Sequence, residues 1–477
     1  MRDIRNFYIN GAWVEPLDGT PLDVINPSSE EPFATISLGG QADTDAAVAA
    51  AKAAFPAWAR TGKADRVAAL ERLAAAYDAR AEEMAEAISD EMGAPIEMAR
   101  QSQVSAGSWH FADAIKTLKG FEFDRMLGNH APGDRILMEP IGVCALITPW
   151  NWPMNQVVLK VAPALAAGCT VILKPSEVAP ISSYLFAEIA AAADLPAGVF
   201  NLLNGDGPGV GTQLSVHPDV DMVSFTGSTR AGKLITKNAA DTIKRVTLEL
   251  GGKGANIVFA DSDEKAVTRG VRHCFNNSGQ SCNAPTRMLV ERSMYDQAVE
   301  TAQAVAEKTA VASAANDGRH IGPVVSEVQW TKIQALIQQG IDEGGRLVAG
   351  GTGRPEGLNR GYYVKPTVFA DVTPDMTIWR EEIFGPVLSI SPFDGEDEAL
   401  QLADDTAYGL TNYVQTQDSE KAHRAARALR SGMVEINGKS RGAGSPFGGY
   451  RQSGNGREGG HWGLEDFLEV KSVSGWE

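Results

Sequence analysis

Val143-Cys144-Ala145-Leu146-Ile147-Thr148-Pro149-Trp150-Asn151-Trp152-Pro153 reads as a short apolar strand that stops at a rigid turn. Five apolar residues without polar alternation suit a strand buried on both faces, and such strands belong to parallel sheets covered by helices. Similar runs recur at 170–173, 199–203, 222–225 and 246–250, with helical stretches such as 184–193 between them. Strand and helix alternating from 143 to 258 predict a doubly wound α/β domain, which binds nucleotides beyond the carboxyl ends of its strands.

Outward from that core the pattern changes. Residues 41–118 are Ala-rich, with apolar positions recurring at three and four, and predict amphipathic helices. The stretch 121–140 flanks the turn-forming Ala131-Pro132-Gly133-Asp134 and predicts a hairpin. A second α/β region is expected over about 255–430, with helices at 295–310 and 328–343 and strands at 287–290, 387–390 and 433–436. The tail from Phe467 alternates as a strand, to pair either with the hairpin or with another subunit.

The 477 residues are enough for two or three domains, each with its own core. A composition of 43% hydrophobic and 22% charged residues is that of a globular protein, and no apolar run approaches the roughly 20 residues needed to cross a bilayer. A net charge of −17 repels phosphate backbones and anionic lipid, so neither nucleic acid nor a membrane is expected as a partner. The amino terminus lacks the hydrophobic core of a signal peptide, and a cytoplasmic location is expected. Four cysteines, at 144, 169, 274 and 282, are too few for a disulfide framework, and no Cys or His spacing suggests a metal site.

Cys282 stands among small and amide side chains in Ser278-Gly279-Gln280-Ser281-Cys282-Asn283-Ala284, and Glu249 is an isolated carboxylate ending an apolar strand in Glu249-Leu250-Gly251-Gly252-Lys253. The pair suggests a nucleophile and its base. Phe225-Thr226-Gly227-Ser228 follows a strand and opens a helix, where free amides suit a pyrophosphate; the alternative is an ordinary strand-to-helix turn. Lys174-Pro175-Ser176-Glu177 ends another strand, either as an exposed turn or with Glu177 receiving the hydroxyls of an adenosine ribose, which favours NAD over NADP. Asn151 either caps a helix or offers its amide to an oxyanion. Glu382-Ile383-Phe384-Gly385-Pro386 is either a strand entry or a site where Glu382 holds a nicotinamide ribose and Phe384 packs on the ring. The pattern Gly454-x-Gly456-x-x-Gly459 follows a loop near the carboxyl terminus, the wrong context for a phosphate-binding turn.

In their order along nearly the whole chain, these motifs, with Pro446-Phe447-Gly448-Gly449, strongly resemble the NAD(P)-dependent aldehyde dehydrogenase superfamily. The resemblance implies a cofactor domain over 1–121 and 142–251, a catalytic domain over 252–461, and an oligomerisation hairpin and strand over 122–141 and 462–477 that build a homodimer or homotetramer. It implies Cys282 as nucleophile, Asn151 as oxyanion donor and Glu249 as the base that activates water. It assigns NAD contacts to Ile147, Thr148, Pro149, Trp150, Lys174, Ser176, Glu177, Gly207, Gly211, Phe225, Thr226, Gly227, Ser228, Leu250, Gly251, Glu382 and Phe384.

The family's aldehyde funnel maps to Trp152, Asn155, Gln156, Ser281, Asn283 and the loop Lys439-Ser440-Arg441-Gly442. Many members carry an aromatic side chain where Arg441 falls, so a polar funnel and a polar aldehyde or semialdehyde are implied, against the alternative of a surface arginine. The reaction expected is oxidation to the free acid. A coenzyme A-acylating enzyme, which generally lacks the Glu249 base, and a catalytically silent scaffold are the alternatives.

Overall fold

The computed structural model describes residues 2–476. Val143–Ile147, Thr170–Lys174, Phe200–Leu202, Met222–Thr226 and Arg245–Glu249 lie parallel at the centre of an eight-stranded sheet. The unbroken apolar run of Val143–Ile147 follows from burial on both sides. Cys144 and Leu146 face a core built on the helices Lys63–Asp78, Ser105–Gly120, Pro153–Ala167 and Ile181–Ala192. Val143, Ala145 and Ile147 face the opposite core, under Gln41–Trp58 and Thr229–Ala239. Each fully buried aliphatic side chain contributes about 1.5–3 kcal/mol, so the two-sided strands anchor the sheet.

Both edges of this sheet come from segments the hydrophobic pattern leaves unassigned. Phe7–Ile9 and Ala12–Val14 extend it antiparallel beyond Phe200–Leu202. At the other edge Gly454–Asn455, from within the expected second domain, pairs antiparallel with Glu249 and Leu248. Gly454 has φ of 117°, and a Cβ there would collide with the Leu248 carbonyl, so this glycine-rich run is shaped for strand approach.

A second, seven-stranded sheet holds Ala255–Val258, Arg287–Glu291, Thr367–Ala370, Val387–Phe393, Thr411–Gln415 and Met433–Ile436 in parallel, with Arg346–Ala349 antiparallel at one edge. The helices Tyr295–Lys308 and Glu327–Asp342 fall where the periodicity expects them. Asp124–Met126 and Asp134–Pro140 form the hairpin, and Leu468–Ser474 pairs with Asp134–Pro140 of the same chain. The expected terminal strand is shorter than 462–477. Gly460–Glu465 is helical instead, because Leu464 and Phe467 are drawn into the first core. Among the described residues no helix is long and apolar enough to cross a membrane, and no cluster of His, Cys, Asp or Glu is arranged to hold a metal ion.

Candidate active site

The parallel strands of the first sheet end at Glu249, Thr226, Ile147, Lys174 and Leu202, and the segments that follow emerge along one carboxyl edge. Ile147 and Thr148 stand at the head of one strand, where the Thr148 N–H donates to the Lys174 carbonyl at 3.1 Å. Lys174 Nζ donates to the Pro175 carbonyl at 2.7 Å and lies 3.6 Å from Glu177 Oε2, with Ser176 in the turn between them. Gly207 and Gly211 bound a short turn capped by Asp206, which accepts from the Gly209 N–H at 2.6 Å. The Gly227 N–H is taken by the Glu249 carbonyl, Phe225 packs beneath Gly227, and Ser228 caps the helix Thr229–Ala239 by accepting from the Ala231 N–H.

Where this edge meets the second sheet, a cleft of about 610 Å³ opens. It is lined by Pro149, Trp150, Asn151, Thr226, Gly227, Ser228, Glu249, Leu250, Gly251, Cys282, Glu382 and Phe384, together with Gln329 and Lys332. The geometry thus brings Cys282, Glu249 and Asn151 to one cavity. Ile147, Thr148, Lys174, Ser176, Glu177, Gly207, Gly211 and Phe225 do not line that cavity and lie along or beneath the strand edge. Glu382 Oε1 accepts from the Gly252 N–H at 2.9 Å, and a Cβ on Gly251 would collide with the same carboxylate. Trp150 and Phe384 meet edge to face with centroids 5.4 Å apart.

Cys282 is carried on a strained loop. Asn277, Ser278 and Gly279 have φ of 53°, 57° and 74°, and the two non-glycine residues cost on the order of 1 kcal/mol each to hold there. Buried hydrogen bonds hold them. Asn277 Nδ2 donates to the Asn151 carbonyl at 2.9 Å, Ser278 Oγ to the Gly322 carbonyl at 2.8 Å, and Gln280 Oε1 accepts from the Val325 N–H at 2.9 Å. Asn151 Nδ2 in turn donates to the Gln280 carbonyl at 3.0 Å, which fixes its amide against the Cys282 loop and leaves its second N–H uncommitted.

Cys282 alone of the four cysteines is partly exposed. Burial pushes its thiol up, and the negative charges of Glu382, Glu249 and Glu458 push it further, while the Asn283 N–H opposes them. Glu249 is buried, and neither of its carboxylate oxygens has a partner among the described residues. Burial raises it well above the ordinary carboxylate range, and Glu458 adds to the rise against Lys160.

Glu249 is therefore not isolated, contrary to its reading in the sequence. Glu458 lies behind it, and Lys160 Nζ stands 2.6 Å from Glu458 Oε1 and 3.1 Å from Ser224 Oγ. The signal for this pair is a single charged residue, Lys160, in the otherwise uncharged and buried helix Pro153–Ala167, since a buried cation requires a partner. Gln329 and Lys332 carried no such signal.

On the other side of the thiol, Trp152 Nε1 donates to Ser281 Oγ at 2.8 Å, and the Asn283 carbonyl accepts from the Tyr413 hydroxyl at 2.5 Å. Asn155 Oδ1 lies 2.8 Å from His110 Nε2. Gln156 is buried, with its Oε1 unpartnered. Arg441 is not a free cation: its Nε is 3.6 Å from Glu435 Oε1, and its guanidinium lies 4.7 Å over the Phe447 ring.

A doubly wound sheet whose carboxyl edge opens on a cleft with a thiol, a buried carboxylate and an amide is the arrangement of a nucleotide-binding α/β enzyme with a cysteine nucleophile. The sequence matches the aldehyde dehydrogenase family over residues 13–473. A Pseudomonas sp. protein named 3-succinoylsemialdehyde-pyridine dehydrogenase is 51% identical over the full length of both chains. The crystal structure of an aldehyde dehydrogenase from Bartonella henselae superposes with a TM-score of 0.99 at 59% identity, covering 100% of each chain. Aldehyde dehydrogenase C from Pseudomonas syringae, solved as a mutant with NAD+ and octanal, gives a TM-score of 0.97 at 48% identity, covering 99% of this chain and 97% of that one. The chain belongs to the aldehyde dehydrogenase family, and is an enzyme that oxidises aldehydes to acids.

Proposed function

We propose that Cys282, Asn151 and Glu249 carry out this oxidation with NAD. The observation that carries the reading is the convergence of an accessible thiol, an uncommitted amide N–H and a buried carboxylate without partners on one cleft at the sheet's carboxyl edge. The thiolate of Cys282 adds to the aldehyde carbon, forming an S–C bond and moving the carbonyl electron pair onto oxygen. The Asn151 side chain and the Cys282 backbone N–H donate to that oxyanion. NAD, when bound, supplies the acceptor for the hydride that leaves the same carbon, which turns the thiohemiacetal into a thioester. Glu249 then takes a proton from water as its oxygen attacks the thioester. The C–S bond breaks, the acid departs and the thiolate returns.

The residues at the sheet edge suit that cofactor. Gly227 and Ser228 lead into an eleven-residue helix whose first-turn amides, apart from that of Ala231 taken by Ser228, suit a pyrophosphate. Lys174 and Glu177 stand where an adenosine ribose would sit, and a carboxylate there repels a 2′-phosphate, which favours NAD over NADP. Glu382, fixed by the Gly252 N–H, faces the cleft for the second ribose. This assigns 1–121 and 142–251 to the cofactor and 252–461 to catalysis.

The sheet of 122–141 with the carboxyl-terminal strand is the assembly element of a homodimer or homotetramer. Its outer strands Asp124–Met126 and Leu468–Ser474 are open edges, and Met126, Leu127, Val470 and Trp476 are exposed. Trp152, Asn155, Ser281, Asn283 and Arg441 form a polar aldehyde channel, and the semialdehyde in the name of the 51% identical relative supports a polar substrate.

The test is NADH formation across aliphatic, aromatic and semialdehyde substrates, with and without coenzyme A. NADH appearing without coenzyme A, with the free acid as product, is expected. An absolute need for coenzyme A would overturn the hydrolytic role of Glu249.

A further inference from the structure

His110 is buried on the helix Ser105–Gly120, and its ring points at Asn155 on the neighbouring helix Pro153–Ala167. Burial lowers the imidazole pKa to about 4, so the ring is neutral and carries one N–H. Asp113 and Arg441 are the charges that bear on it, and they act in opposite directions. Nδ1 has no partner. With the proton on Nδ1 a buried donor would be orphaned; with the proton on Nε2 the orphan is only a lone pair, the smaller penalty. The ring therefore donates from Nε2 to Asn155 Oδ1, and this settles which way the Asn155 amide faces. Its oxygen is consumed and its NH₂ turns away from His110.

That NH₂ has no acceptor among the described residues, and Asn155 is partly exposed between the buried Met154 and Gln156. Asn155 lies in the first turn of the helix Pro153–Ala167, three residues beyond Trp152 at its amino-terminal cap. The Trp152 indole holds Ser281, the residue preceding Cys282. The amino-terminal end of the helix that carries Asn155 is thus tied to the loop of Cys282, on the approach to the thiol.

Building on the reading of that approach as the aldehyde channel, we propose that His110 and Asn155 form a specificity device. His110 is a positioning residue that locks the Asn155 NH₂ toward the channel, which selects aldehydes carrying an uncharged acceptor oxygen, a keto carbonyl above all, along their chain. A carboxylate is the poorer match. Glu382, Glu249 and Glu458 set a negative field at Cys282, and Glu435 already engages the cation of Arg441.

Three five-carbon aldehydes test the device: pentanal, levulinaldehyde with its keto oxygen, and glutaric semialdehyde with its carboxylate. Wild type is expected to prefer levulinaldehyde in kcat/KM. Asn155→Leu removes the donors, and the levulinaldehyde-to-pentanal ratio is expected to fall by at least about tenfold, as for sites built to bond a substrate's polar group. His110→Phe frees the amide to rotate and should lower the same ratio, chiefly through KM for levulinaldehyde. His110→Gln keeps an N–H for Asn155 Oδ1 and should restore the ratio. Should His110→Phe fail to fold, the Asn155→Leu ratio decides.

A ratio unchanged in Asn155→Leu, identical ratios in His110→Phe and His110→Gln, or a wild type that prefers glutaric semialdehyde would each overturn the inference. A wild type that oxidises pentanal without preferring levulinaldehyde defeats the inference alone. One that oxidises no aldehyde defeats the catalytic reading beneath it.

Discussion

The two sides of Cys282 are built differently. On the cleft side the polypeptide backbone sets the geometry: strand ends fix Glu249, Thr226 and Ile147 in register, and glycines at 227 and 251 let the chain approach Phe225 and Glu382 where any Cβ would collide. On the aldehyde side, side chains hold one another: Trp152 holds Ser281, His110 holds Asn155, Glu435 holds Arg441. Backbone geometry follows from local sequence and from the sheet. Side-chain pairs between distant helices and loops can be exchanged without disturbing the fold, so one scaffold serves one chemistry with many substrates.

The largest expected effect lies where the two sides meet. Cys282→Ala should abolish NADH formation from aldehydes, by about 10⁴-fold or more, as loss of a covalent nucleophile does. Titration of the variant with NAD should show binding retained, because the cofactor side does not depend on the thiol. Gly251→Ala attacks the backbone-built side. The added Cβ must displace the Glu382 carboxylate, and the KM for NAD should rise by about 10- to 100-fold while discrimination between aldehydes stays the same.

Thiol chemistry sharpens the contrast by pH. The Cys282 thiol is raised above its ordinary range in the free enzyme, and only the thiolate reacts. Below the raised pKa each pH unit changes the thiolate fraction about tenfold, so alkylation by iodoacetamide should climb about tenfold per unit from pH 7 to 9 without a plateau. Cys144, Cys169 and Cys274 are buried and should stay unlabelled in the folded protein. The smallest effect is expected at Arg441. Its ion pair with Glu435 is partly exposed and worth on the order of 1 kcal/mol or less. Arg441→Ala should therefore shift the semialdehyde-to-aliphatic ratio in kcat/KM by no more than about tenfold, with NAD binding untouched.

The same contrast governs what could be read from the sequence. Val143–Ile147 was legible to the residue, because an unbroken apolar run bounded by turn residues has no other stable placement in a two-sided sheet. The strands Phe7–Ile9 and Gly454–Asn455 were not, since runs of two or three residues carry no periodicity and are recruited by the edges of a sheet already formed. Cys282, Glu249, Asn151 and Glu382 each announce themselves by a charged, amide or thiol group in a local context that does not otherwise need one. The Lys160–Glu458 contact spans 298 positions, and nothing local to Glu458 marks it. His110 is likewise an ordinary helix residue until tertiary packing sets its ring 2.8 Å from the Asn155 amide.

In this mechanism the aldehyde carbon becomes bonded to Cys282 and is released by water that Glu249 activates. Intact-protein and peptide mass spectrometry of Glu249→Gln after mixing with NAD and pentanal reads that bond itself. Removing such a base slows hydrolysis by about 10²–10⁴-fold, so one equivalent of NADH should form rapidly and the peptide containing Cys282 should carry a pentanoyl group. A burst of NADH with no acyl group on that peptide, or steady turnover at the wild-type rate, would rule out a Cys282 thioester hydrolysed through Glu249.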